Sequence, residues 1–159
     1  MENEHTVLYQ LTETSPFMMS FVVITKQNNA IIIDGGMEAD MPLLKEYVGN
    51  RHVSAWILTH AHSDHIDGFV SEMRKNGGKD FDIEKIYYNF PPYSLIEKHD
   101  VPDYAYFKSE LDEMLPAFNE VLPLFRDKTH IVTQGESIQI DEVKIDFLFT
   151  YHPDLVANL

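Results

Sequence analysis

The chain has 159 residues, 44% of them hydrophobic, and it includes 10 Phe and 8 Tyr residues. This composition predicts a single globular domain over residues 1–159 and excludes a disordered or fibrous chain. The absence of cysteine excludes disulfides and thiolate metal sites.

The 26 acidic and 12 basic residues give a formal net charge of −14. This charge disfavours nucleic acid and anionic membranes as partners, because both usually bind basic patches. A metal ion can change the field locally, which keeps a nucleic-acid substrate open. The N-terminal segment is acidic without an apolar signal core, and no apolar run approaches the length of a membrane span. We therefore expect a cytoplasmic protein with no membrane contact.

The first third of the chain is rich in residues that favour strands. We predict strands over three segments: 5–13, 17–26 and 30–34. The third contains three consecutive isoleucines, which is typical of a strand buried on both faces, and it ends at Asp34 before two glycines. A helix follows, with Asp40 as its expected cap and Pro42 in its first turn.

The middle of the chain alternates strands with helices. A buried strand over 53–59 is followed by a helix over 68–76 and a strand over 84–90. The clearest helical signal comes next, with Asp103 as its expected cap and Pro116 expected to kink or split it. Its apolar residues alternate steps of three and four: Tyr104, Phe107, Leu111, Met114, Phe118, Val121 and Phe125. This stripe indicates a core-facing helix, with a mobile cover over the active site as the alternative.

Three strands close the sequence, over 129–134, 136–140 and 143–150, and Asp141 and Glu142 form the predicted hairpin turn between the last two. The order of elements is strands, then strands alternating with helices, then strands again. It predicts a mixed α/β layered architecture with α+β character.

An unusual cluster of polar side chains lies just beyond the strand over 53–59. His60, His62, Asp64, His65 and Asp67 occupy eight consecutive positions. Such groups are costly to dehydrate together unless they share a counter-charge. Imidazole and carboxylate ligands without sulfur suit Zn²⁺, Fe²⁺ or Mn²⁺. The spacing predicts one ion held by His60 and His62 and a second held by Asp64 and His65, while Asp67 is interpreted as a helix-initiating residue.

The segment THAHSDHIDG, residues 59–68, resembles the signature of the metallo-β-lactamase fold hydrolases, and AIIIDGG, residues 30–36, resembles the strand and Asp-Gly that usually precede it. The resemblance implies a four-layer αβ/βα sandwich with two divalent metal ions, zinc above all, with manganese or iron as alternatives. His60 and His62 would bind the first ion, and Asp64 and His65 the second. Asp34 would support the site by hydrogen bonds rather than by coordination.

The family has further metal ligands after additional strands, and this sequence departs from that pattern. His152 is the candidate for the missing ligand of the first ion, and Asp154 is a weaker candidate for a carboxylate that bridges both ions. We therefore expect that these 159 residues are the N-terminal portion of such a domain. Half of a two-sheet sandwich would leave an apolar sheet face bare, which predicts a homodimer that covers it.

The functional prediction is a metal-dependent hydrolase acting on a small-molecule substrate. A hydroxide bridging the ions would attack an ester, thioester, amide or phosphoester, with Asp64 orienting it as the catalytic residue. One alternative is a catalytically incomplete fragment that acts as a metal-binding or dimerising module. Another is redox chemistry at a diiron centre. The resemblance disfavours it, because the flavo-diiron oxygen reductases of this fold carry glutamate where this chain has His62.

Overall fold

The structure, a computed structural model, describes residues 4–12, 17–98 and 105–153. The predictions for Asp103, Tyr104 and Asp154 lie outside these residues. No helix in the described part of the chain has the length and apolar character needed to cross a bilayer.

Among the described residues, seven strands form one sheet in the order β1-β2-β3-β4-β6-β7, with β5 paired to β4. Neighbouring strands are antiparallel from β1 to β3 and parallel from β3 to β7. The strands of this sheet are β1 (Val7–Gln10), β2 (Ser20–Ile24), β3 (Ala30–Asp34), β4 (His52–Ile57), β5 (Asp82–Ile83), β6 (Ile86–Tyr88) and β7 (Thr129–Ile131). Strand β6 is shorter at both ends than the predicted strand over 84–90, and β7 ends before the predicted residue 134, since pairing rather than propensity sets their bounds. Strand β5 was not predicted.

A register shift between β3 and β4 changes which residues of β4 face each side of the sheet. Ala30 pairs with Val53, but Ile31 pairs with Ala55, so β4 carries one extra residue at this point. The extra residue changes the alternation of side chains across the sheet. Val53 and Trp56 therefore both pack into the main core under the helices, while Ala55 faces the opposite side.

One face of the sheet is covered by helices. Their bounds are α1 (Met41–Val48), α2 (Ser63–Asn76), α3 (Tyr93–Ile96) and α4 (Ala105–Val121). Trp56 lies fully buried below them, with its ring centroid 5.0 Å from that of Phe69 on α2. The sequence placed the start of α2 at Gly68, whereas the helix begins at Ser63. His62 is the last extended residue, so Asp64 and His65 lie on the first helical turn.

Helix α4 has two different ends. It continues through Pro116 without being split, contrary to one of the two outcomes predicted. Met114 and Phe118 are buried in the main core, as the core-facing interpretation of the stripe requires. At the other end, the side chain of Phe107 is 51% exposed and lies over the start of α2. The apolar stripe therefore combines a core segment with an exposed first turn.

The opposite face of the sheet is covered by a separate hairpin, β8 (Ser137–Ile140) and β9 (Val143–Asp146). Its turn at Asp141 and Glu142 is confirmed, since Ile140 pairs with Val143. Asp141 accepts a hydrogen bond from the Thr25 hydroxyl at 2.6 Å, which ties the hairpin to the turn between β2 and β3.

The hairpin corrects the prediction of a bare sheet face. Ile31, Ala55 and Ile57 are buried, with Val143 and Ile145 of the hairpin packed against them. A homodimer stays a prediction, tested by light scattering at micromolar concentration. Exposed apolar side chains that such a dimer could bury are those of Ile131, Leu148 and Phe149. The helix layer, the sheet and the hairpin confirm the mixed α/β class.

Candidate metal centre

The predicted metal ligands lie at the carboxyl edge of the parallel strands. Asp34 is the last residue of β3, and His60 and His62 follow the end of β4. Asp64 and His65 are on the first turn of α2. Ligand sites of open parallel sheets form at this edge, because several strand ends and helix starts meet there.

Three imidazole rings and one carboxylate are brought together. The ring centroid of His60 lies 3.8 Å from that of His65 and 4.6 Å from that of His62. Oδ2 of Asp64 lies 3.5 Å from Nε2 of His65. The four side chains that the sequence singled out therefore share one small region at the sheet edge.

Asp34 organises this region from beneath. It is 2% exposed and has a positive φ of 59°, a conformation that aspartate tolerates better than most residues. Its Oδ2 lies 2.8 Å from Nδ1 of His65, which leaves Nε2 of that ring facing Asp64. The backbone N–H of Thr59 donates to Oδ1 at 2.8 Å, and the Thr59 hydroxyl donates to Oδ2 at 2.8 Å. The carboxylate thus fixes the orientation of His65.

Two of the histidines are held neutral by their surroundings. Burial lowers the pKa of His60 to about 4, with further lowering from the charges of His65 and His62. Burial also lowers the pKa of His62, although the carboxylates of Asp64 and Glu110 oppose the shift. Neutral imidazole is the form that binds a metal ion, so both rings have an available lone pair at pH 7.

Helix α4 supplies Glu110, which the sequence did not identify, and Phe107, which the sequence placed in the apolar stripe. The Ser63 backbone N–H, at the start of α2, donates to Oε2 of Glu110 at 3.1 Å. The hydrogen bonds from Ser63 lower the pKa of Glu110. The Phe107 ring lies nearly parallel to the His62 ring, with centroids 5.7 Å apart and an interplanar angle of 22°. Only the packing of α4 against α2 brings these residues to the site.

Thr59 was also not predicted as a residue of the site, although its position in the sequence indicates such a role. It is a polar residue directly between a buried strand and the histidine cluster. Besides its bonds to Asp34, its Oγ1 lies 3.1 Å from Nδ1 of His60. A hydroxyl at this point links the carboxylate of β3 to the first histidine of the cluster.

The remaining candidates lie elsewhere. Asp67 is within α2, and its Oδ2 accepts a hydrogen bond from the Glu38 backbone at 2.9 Å, so it fixes the loop before α1 rather than starting α2. His152 is exposed on the segment after β9. The carbonyl of Tyr151, its neighbour, accepts a hydrogen bond from Nδ2 of Asn89 at 3.2 Å, which holds this segment near the end of β6. The role of His152 as a ligand stays a prediction.

The donor set fits divalent ions in its chemistry. Imidazoles and a carboxylate are grouped, and the hydrogen bond of His65 to a carboxylate is a common support for a metal-binding histidine. Within residues 4–12, 17–98 and 105–153, no three histidine or carboxylate side chains surround one point as a finished cage. The arrangement thus offers pairs of donors, which further ligands would have to complete.

Two solved structures of larger proteins match parts of this chain. A crystal structure of a metallo-beta-lactamase from Staphylococcus aureus subsp. aureus COL is 16% identical with a TM-score of 0.49, and the match covers 91% of this chain and 34% of that one. A crystal structure of a new diphosphatase from the PhnP family is 15% identical with a TM-score of 0.46, and the match covers 84% and 45%. The chain thus spans less than half the length of these two proteins.

No curated protein matches the sequence. The model of the metallo-beta-lactamase superfamily matches residues 15–153, which include every described residue of the cluster and most of the sheet. This match confirms the family that the two motifs resemble, and the chain belongs to the metallo-beta-lactamase superfamily.

Proposed function

We propose that this chain carries part of the active site of a metal-dependent hydrolase. The observation that carries the proposal is the placement of the His62 and His65 rings 4.6 Å and 3.8 Å from the ring of His60, beside the Asp64 carboxylate. Membership in the metallo-beta-lactamase superfamily supports it.

In this proposal, His60 and His62 hold one divalent ion and Asp64 and His65 hold a second, with zinc as the first choice and manganese or iron as alternatives. Bound ions would polarise the oxygen of the target bond and lower the pKa of a water molecule that serves as the nucleophile. His152 is proposed as a further ligand of the first ion.

The protein side chains have separate tasks. Asp64 accepts a hydrogen bond from the nucleophilic water and orients it toward the substrate. Asp34 holds His65 through Nδ1, so that the other ring nitrogen stays directed at Asp64. Thr59 supports the Asp34 carboxylate with two hydrogen bonds. The substrate is proposed to be a small molecule with an ester, thioester, amide or phosphoester bond.

Metal titration and turnover test the proposal together. The chain is loaded with Zn²⁺ or Mn²⁺ and assayed with nitrophenyl esters and phosphodiesters. We expect metal-dependent hydrolysis that falls at least a hundredfold in His62→Ala. His52→Ala is the matched control, because His52 is bonded to Asp82 and Glu84 away from the cluster. Turnover that persists in His62→Ala would assign the activity to a contaminant.

The same experiment separates the alternative function, a metal-binding or dimerising module without turnover. Because the described residues offer donor pairs rather than a three-donor cage, that alternative predicts weak metal binding and no hydrolysis. Metal bound without any turnover would favour it. Visible absorption from bound iron or flavin, without hydrolysis, would favour redox chemistry instead.

A further inference from the structure

A cavity of about 540 Å³ opens directly beside the histidine cluster. His60 and His62 are among the residues that line it. The loop after β4, the ends of β6 and β7, helix α4 and the segment after β9 all contribute to its walls. The apolar residues of these walls include Phe90, Leu111, Val132, Phe147, Leu148 and Phe149. A molecule in this cavity would contact the proposed metal ligands.

The described side chains of the walls offer a phosphate group no cationic partner, so only the proposed metal ions would supply positive charge to it. Among the described residues that line the cavity, none is lysine or arginine. Phosphate recognition usually relies on cationic side chains or on free backbone N–H groups. Nδ2 of Asn89, a polar donor in the wall, is already bonded to the carbonyls of Val132 and Tyr151.

The same walls suit an uncharged hydrocarbon group. Each methylene group that moves from water into an apolar site strengthens binding by about fourfold. Ligand pockets commonly combine apolar walls with a few polar groups, and Thr59, His60 and His62 are among the polar residues that line this cavity. A chain of several carbons is therefore favoured over an acetyl group.

We propose that this cavity binds the apolar acyl chain of a neutral carboxylic ester or thioester, whose carbonyl group lies at His60 and His62. The inference rests on the proposed hydrolase function and narrows its substrate class away from phosphoesters. In the reaction, water adds to the carbonyl carbon and the C–O or C–S bond breaks. The products are the carboxylic acid and an alcohol or thiol, which takes up a proton.

Binding can be measured without turnover, so that the two proposals fail separately. Isotope-labelled protein is titrated with octanamide, acetamide and phenyl phosphate while the backbone NMR signals of Ala61, Asn89 and Val132 are followed. We expect octanamide to bind at least tenfold more tightly than acetamide, and phenyl phosphate to leave these signals unchanged. Equal binding of the two amides, or stronger binding of phenyl phosphate, would overturn the inference.

Two exposed wall residues allow a substitution that spares the core. Leu148 is 80% exposed and Phe149 is 74% exposed, so Leu148→Asp and Phe149→Asp place a charge at the cavity without removing a buried side chain. Each should weaken octanamide binding at least fivefold. Leu124→Asp is the matched control, because Leu124 is 58% exposed and does not line the cavity. Equal weakening in the control would contradict a specific site.

Turnover provides the second readout. With Zn²⁺ or Mn²⁺ bound, kcat/KM for p-nitrophenyl octanoate should exceed that for the acetate ester at least tenfold, and the ratio should fall in Leu148→Asp. If only bis-p-nitrophenyl phosphate were hydrolysed, the proposed ester or thioester substrate class would be wrong, but the proposed hydrolase function would stand. If octanamide bound but no ester were hydrolysed, the cavity would still bind acyl chains, and the proposed hydrolase function would be wrong. Cavity signals that shift with protein concentration rather than with octanamide would show that a second copy occupies the cavity.

Discussion

Gly68 of α2 lies against the backbone of Gly35 at the end of β3. A Cβ atom at Gly68 would lie 2.6 Å from the Gly35 carbonyl oxygen and 3.0 Å from that of Met37. The Gly68 backbone N–H donates to the carbonyl of Gly36 at 2.9 Å. Close approach at this one residue fixes the helix that carries Asp64 and His65 to the strand that carries Asp34.

Gly68→Ala is therefore expected to destabilise the protein, although alanine favours helices more than glycine does. The new methyl group would meet backbone atoms that cannot move independently, and overpacking of this kind costs about 1–3 kcal/mol in the free energy of unfolding. Denaturant unfolding measures it. Lys75→Ala, at an exposed position of the same helix, should change stability by less than about 0.5 kcal/mol. A more stable Gly68→Ala protein would refute the close contact.

Asp34→Asn tests the support of His65. The substitution keeps the shape of the side chain but turns one carboxylate oxygen into an N–H donor, which then faces the donors of Thr59 or His65. We expect Zn²⁺ affinity to fall about 10- to 100-fold, the usual effect of losing a hydrogen bond to a metal-binding histidine. Competition with a chromophoric chelator measures it. Asp67→Asn is the control, and unchanged affinity in Asp34→Asn would contradict the supporting role.

Glu110→Gln tests the link between α4 and the start of α2. A carboxylate at a helix N-terminus stabilises it by about 0.3–1 kcal/mol, and the substitution should remove that amount from the free energy of unfolding. Hydrogen bonds from Ser63 lower the pKa of Glu110 in the folded state. The ionised Glu110 side chain therefore stabilises the folded state at pH values above the pKa it has in the unfolded chain. This stabilisation is lost as the pH falls through the lower pKa of the folded state. Urea unfolding at pH 7 and pH 3 measures both effects. Glu113→Gln, one turn of helix away and exposed, should show neither.

His60 makes the metal-free protein sensitive to acid. Its pKa is about 4 in the folded state and about 6.5 when unfolded, so within this window only the unfolded chain takes up the proton. The free energy of unfolding should therefore decrease as the pH falls from 6.5 to 4, and less so in His60→Gln. His52 provides a contrast of opposite sign, because hydrogen bonds to Glu84 and Asp82 raise its pKa. The stability that His52 contributes to the folded protein is fully present below pH 6.5. It is lost as the pH rises through the raised pKa of the folded state.

Denaturation of the metal-free protein across pH 4–8 therefore distinguishes the two histidines. His60→Gln should flatten the profile between pH 6.5 and 4, whereas His52→Gln should leave that part unchanged and remove the gain in stability that accompanies a fall in pH toward 6.5 from above. Equal profiles for the parent and His60→Gln would show that the ring titrates as it does in water.

The helical and strand elements could be predicted in type more reliably than in their bounds. The run of isoleucines at 31–33 identified a buried strand, and the His/Asp spacing identified the side chains that meet at its edge. The start of α2 was placed five residues late, because Ser63, Asp64 and His65 lack an apolar pattern and the helix is held there by contacts with Glu110 and β3.

The local sequence by itself determined which groups can bind a metal and which strands are apolar, since these depend on residue type and spacing along the chain. The tertiary structure alone decided that Asp34 meets His65, that Glu110 and Phe107 reach the cluster, and that the hairpin covers the face predicted to be bare. Those contacts join residues far apart in sequence. Their partners follow from the order of strands in the sheet and the side on which each helix packs, and no local pattern encodes either.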